Sequence, residues 1–96
     1  MTKADIVSRI ADETGMEKQD VQTTVEAFMR SVRDGLESGQ NVYLRGFGSF
    51  VVKTRAAKTG RNILAKQSIQ IPAHNIPSFK PAKDFVENVK TQVKVK

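Results

Sequence analysis

The chain has 96 residues, a net charge of +6 and no cysteine, which makes it one small domain with neither a disulfide framework nor a zinc-finger pattern. A domain of this size buries only about 60–65% of its chain's surface and often borrows core from a partner subunit. No apolar run exceeds four residues, and Asp5, Asp12, Glu13, Glu17 and Asp20 near the start do not fit a signal peptide, so a soluble, cytoplasmic setting is expected, with no membrane partner.

The charge is unevenly divided. Residues 1–40 hold five basic and eight acidic side chains (−3), and residues 41–96 hold eleven and two (+9). Between Val42 and Lys80 seven basic residues occur without one Asp or Glu. A solvated surface normally mixes both signs, so a one-sign segment of this length points to a polyanion. An anionic membrane would call for a basic amphipathic helix, whereas this segment reads as strand and turn. Nucleic acid is the expected partner.

In chain order, Thr2 followed by Asp5 announces a first helix through a capping-box-like start. Ile6, Val7, Ile10 and Ala11 share one face of it, and Gly15 ends it. A second helix begins near Glu17 or Lys18. Its stripe of Val21, Val25, Phe28, Met29, Val32 and Leu36 lasts five turns before Gly39 stops it. Two helices joined this way are either a helix-turn-helix or an antiparallel α-hairpin. The hairpin is favoured, because Glu17, Asp20, Glu26, Asp34 and Glu37 make the second helix a poor face for phosphates.

From Asn41 the period becomes two. Val42-Tyr-Leu44 reads as a strand, Arg45-Gly-Phe-Gly48 as a turn and Ser49 to Arg55 as a half-buried strand. Residues 56–72 have little to bury and read as a long β-hairpin arm returning through Ser68-Ile-Gln-Ile71. At ~3.3 Å per residue such a ribbon reaches roughly 23 Å, and alone in water it is marginal, so the arm is expected to be mobile until bound. Pro72 and Pro77 bracket a chain return through His74-Asn-Ile76. A third helix, carrying Phe85, Val86, Val89 and Val93, follows Pro81. The fold class is therefore α+β: an N-terminal helical hairpin (1–39), an antiparallel three-stranded sheet with a projecting arm (41–81, arm about 56–72) and a C-terminal helix (82–94).

No catalytic constellation is legible. His74 is the single histidine and is read as structural. The carboxylates have ordinary solvated-face spacing, neither phosphate-loop pattern occurs, and Gly46-Phe-Gly48 is a turn. No enzyme activity, cofactor, metal or small-molecule substrate is expected. Arg55, Lys58, Arg61 and Lys66 suit a different task. A two-stranded ribbon enters a groove of duplex DNA, and Arg61-Asn62 at its tip suits the acceptor-rich minor groove. Ile63 and Leu64 stand where a polar turn is expected. Either they pack on each other or they form an intercalating wedge that kinks a base step, and the wedge is preferred.

Gly46-Phe-Gly-Ser-Phe50, Arg55, Gly60-Arg-Asn62, Ile69-x-Ile-Pro72 and Pro77-Ser-Phe79 together resemble the bacterial HU and integration host factor family of histone-like proteins, over essentially the whole chain. The resemblance implies an intertwined dimer, made with itself or with a related chain, whose two arms embrace double-stranded DNA in the bacterial nucleoid. It implies a dimer core at Phe47, Phe50 and Phe79. It implies DNA contacts from Arg55, Lys58, Arg61 and Asn62, and contacts to flanking phosphates from Lys3, Lys80 and Lys83; Lys53, Ile63 and Lys66 complete the expected DNA-binding set as residues of the basic segment and its tip. The expected function is architectural, bending duplex DNA through the minor groove largely without sequence specificity. A site-specific bender of the integration host factor kind is the alternative, with a protein–protein adaptor and an RNA chaperone as weaker rivals. The chain departs from the family pattern at Ile63, where proline is usual, at Lys66, where glycine is usual, and at Pro81-Ala82 before the third helix.

Overall fold

A computed structural model describes residues 1–62 and 67–95, as backbone alone over 59–62 and 67–69. Helix α1 spans Lys3–Thr14 and opens on a complete capping box. The Thr2 hydroxyl accepts from the Asp5 N–H at 3.3 Å, and the Asp5 carboxylate accepts from the Thr2 N–H at 2.9 Å. These two bonds satisfy donors that the first helical turn leaves without partners. The Thr2 bonds also hold the Asp5 carboxyl below the usual carboxylate range. At the other end Gly15 takes the left-handed conformation (φ 75°) and its N–H returns to Ala11 O at 2.9 Å.

Helix α2, Lys18–Glu37, folds back on α1, and Val7 and Val21 close the seam between them. They are the only buried apolar side chains among the described residues. Near its C-terminus α2 lies against the sheet at Gly35, where an added Cβ would stand 3.3 Å from Val42 Cγ2.

The sheet has strands β1 (Val42–Leu44), β2 (Gly48–Arg55) and β5 (His74–Pro81), antiparallel in the order β1-β2-β5. A separate ribbon pairs β3 (Lys58–Asn62) with β4 (Gln67–Ile71). Ala56-Ala57 and Pro72-Ala73 connect sheet and ribbon, so sheet and arm are distinct bodies of pairing. The chain returns through His74-Asn-Ile76 as β5, the third strand of the expected sheet, and Pro77 lies within it without breaking it. The reason is position. Val52 donates its N–H toward the β1 side, to Asn41 Oδ1 at 2.9 Å. Its cross-strand partner Pro77 therefore stands at a non-hydrogen-bonded site, with its missing N–H toward the open edge.

Gly48 is fixed by crowding. A Cβ there would lie 2.6 Å from the Lys80 carbonyl oxygen and 2.7 Å from the Phe79 ring. The space it leaves admits an aromatic cluster. Phe79 lies 4.9 Å from Phe50 and 5.2 Å from Phe47, and Phe47 stacks on Phe85 at 5.6 Å. Phe85 belongs to α3, Lys83–Gln92, whose start is tied to the β1–β2 turn by the Ala82 N–H bonding Phe47 O at 2.9 Å. The helix ends at Gln92 with Val93 as its cap, so the last apolar residue of the expected stripe lies just outside it. Phe28, Met29, Phe47, Val86 and Val89 all remain exposed.

Candidate nucleic-acid interface

Cross-strand partners in an antiparallel sheet project to the same side. The register pairs Tyr43 with Ser49 and Ser49 with Lys80, Val51 with Ser78, Lys53 with Ile76, and Arg55 with His74. Tyr43, Lys53, Arg55, His74 and Lys80 consequently share the outer face. The opposite face carries Val42, Phe50, Val52 and Phe79, turned toward α2 and the aromatic cluster. Lys53, Arg55, His74 and Lys80 are exposed. No acid stands between Glu37 and Asp84 in the chain, so nothing from the sheet or the arm neutralises this face.

The outer face runs on toward the arm. Lys58 begins β3 opposite Ile71, and Arg61 and Asn62 end it, in register with Ser68 and Gln67. Ile63, Leu64 and Lys66, the expected wedge and tip cation, lie outside the described residues. On the body, Lys83 opens α3 and is exposed. Lys3 is differently placed, because its Nζ is bonded to Glu26 Oε2 at 2.8 Å. Gln22 also donates to that oxygen at 3.2 Å, and the Lys3 bond, then the Gln22 bond, hold the Glu26 carboxyl below its ordinary range. A phosphate approaching Lys3 therefore competes with this carboxylate for the ammonium. Phe47, Phe50 and Phe79 come together in one cluster, with Phe85 as a fourth member that sequence reading had assigned only to a helix stripe.

Two residues on this face escaped the sequence reading. Tyr43 is 72% exposed and its hydroxyl accepts from Asn41 Nδ2 at 3.3 Å, while His74 sits at the root of the arm. The period-two signal covers both, but parity across a turn and an arm is undetermined without the register.

Residues 1–90 match the family model described as bacterial DNA-binding protein. This chain belongs to that family. Its relatives include DNA-binding protein HU of Thermus thermophilus, 43% identical over 90 residues that cover 94% of this chain and 93% of the relative. Integration host factor subunit beta of Marinobacter nauticus is 39% identical over 95 residues, covering 98% and 97%. Among solved structures, an Anabaena HU–DNA cocrystal structure superimposes with a TM-score of 0.88 at 32% identity, over 93% of this chain and 97% of that one. HU from Thermotoga maritima gives 0.65 at 26% identity, over 93% and 98%. The family's three helices, three-stranded antiparallel sheet and β-arm are the elements described above.

Proposed function

We propose that this chain is a histone-like architectural protein that binds duplex DNA across the outer face of its sheet and bends it with the arm. The observation that carries this reading is the acid-free outer face, on which Lys53, Arg55 and Lys80 are aligned by strand register, with Lys58 and Arg61 following in the β3 strand of the arm. Neutralising backbone phosphates releases condensed counterions, so these cations supply affinity that is sequence-tolerant and steep in salt. Arg61 and Asn62 at the end of β3 would read minor-groove acceptors. Ile63 or Leu64 would enter a base step, with unstacking offset by the wider contact of a bent duplex. Lys80 and Lys83, and Lys3 after release from Glu26, would hold the flanking DNA. The naming of relatives as HU, and the HU–DNA cocrystal, support this reading over the site-specific one.

The active species is a dimer in this proposal. An accessible surface of 8425 Å² far exceeds the roughly 5,500 Å² expected of a compact monomer of this mass. The radius of gyration is 18.9 Å, against about 12.5 Å for a compact chain of this length. Phe47, Phe50 and Phe79 would then be closed over by the second subunit. The setting would be the bacterial nucleoid, in keeping with a structure whose described helices include none long and apolar enough to cross a membrane. No group of metal-ligating side chains occurs among the described residues, and the role proposed is not enzymatic.

The test is a titration against a random duplex of roughly 35 bp, about three helical turns, at several salt concentrations, read by anisotropy and end-to-end FRET together. Salt-steep binding with rising FRET is expected. Salt-insensitive binding would favour an adaptor, and strong preference for one sequence in competition with random DNA would favour the integration host factor kind.

A further inference from the structure

Where the arm leaves the sheet, Lys53, Thr54, Arg55, Ala56, Lys58, Ile71 and His74 enclose a small open cleft of about 250 Å³. Arg55 and His74 are cross-strand partners at the end of the β2–β5 ladder, and Lys58 is the first residue of β3. The His74 ring is oriented by a bond at 2.9 Å between its Nδ1 and the Pro72 carbonyl oxygen. A carbonyl only accepts, so Nδ1 carries the proton. In the neutral ring Nε2 is then a bare lone pair, which repels a phosphate oxygen. In the protonated ring Nε2 becomes a donor.

We propose that this cleft is a DNA backbone phosphate site, and that His74 completes it only when protonated, so that DNA binding takes up a proton at the arm's root. The groups facing the imidazole decide the direction of this coupling. Lys53 and Arg55 from β2 and Lys58 from β3 are all cationic, Ile71 from β4 is neutral, and no carboxylate lies in the cleft. A phosphate diester seated among them brings a negative charge beside the ring and favours its protonated form. Affinity for DNA therefore rises as pH falls through the imidazole range, and the bound complex holds more protons than its parts. The proposal rests on the DNA-binding reading above and adds to it a proton-linked contact.

The sequence makes the test clean, because His74 is the only histidine. Calorimetric titrations of a random duplex, in two buffers of different ionisation enthalpy at pH 6.5 and at fixed ionic strength, give the protons taken up. Uptake by the wild type is expected to vanish in His74→Gln, which is exposed and leaves the sheet intact. His74→Lys should bind with the acid-form affinity at every pH. The salt slope of the wild type should be steeper by about 0.9 at pH 5.8 than at pH 8, the value of one additional phosphate contact, and constant in both variants. If His74→Gln keeps the wild-type proton uptake and pH profile while still binding DNA, the cleft assignment is wrong and the architectural reading stands. If no variant and no wild type binds duplex even at low salt, both readings fall together.

Discussion

Two positions carry consequences out of proportion to their size. Gly48 has no room for a side chain, because its neighbours are the Lys80 carbonyl and the Phe79 ring. Gly48→Ala should lose about 2 kcal/mol or more, since neither backbone nor packed ring can withdraw cheaply. Chemical denaturation would show it, and an unchanged midpoint would mean that the β2–β5 pairing at this end is slack. The second position is the Lys3–Glu26 pair. Glu26→Gln removes the carboxylate that competes for Lys3, so DNA affinity at low salt should rise about twofold or more, and Lys3→Ala in the same background should cancel the gain. The pH sign follows from the lowered Glu26 carboxyl. Its contribution to stability is present above the unfolded carboxylate range and lost as pH falls through the lower folded value. The acid limb of a stability–pH curve should be shallower in Glu26→Gln. The pair is exposed and belongs to availability for DNA more than to fold stability.

At the scale of elements, the arm is the part whose shape matters most for the proposed bending. Arg61→Ala should weaken binding to all sequences alike and flatten the salt slope by about one unit, whereas Ile63→Gly should spare most affinity and reduce the FRET change. A variant at Ile63 that bends DNA as well as the wild type would move the wedge to Leu64 or remove it from the mechanism. The helices, β1 and β2 were legible in the sequence because their signals are local: a capping box at Thr2, a five-turn apolar stripe, and alternation after Asn41. Why β5 tolerates Pro77 is not legible locally, since proline punctuates chains unless it sits on an edge, and edge position is a property of the assembled sheet. Register is likewise non-local. It determines that Lys80 shares a face with Lys53 and Arg55, that Tyr43 joins them, and that His74 stands opposite Arg55. The cations of the candidate interface could be named from composition, but the surface they form could not. The Lys3–Glu26 pair depends on how two helices cross, and neither helix's own periodicity contains it.

At the scale of the whole molecule, the described chain has little interior of its own. Val7 and Val21 are its only buried apolar side chains among the described residues, while Phe28, Met29, Val86 and Val89 stand between 43% and 47% exposed. A stable domain of this length ordinarily hides such groups, and the proposed dimer would hide them against a second copy. The two states make opposite predictions for Met29→Asp. In a monomer this residue faces water, and a substitution there should change stability by about 0.5 kcal/mol or less. In a dimer that closes over α2, each subunit would bury an unpaired carboxylate, which costs several kcal/mol at about the level of a broken buried pair. Sedimentation should find the wild type as a dimer whose melting temperature rises with protein concentration. It should find Met29→Asp dissociated and largely unfolded at the same concentration. Loss of DNA bending should follow, because one arm alone cannot embrace the duplex from two sides. A folded, monomeric Met29→Asp that still bends DNA would place the whole mechanism within a single chain.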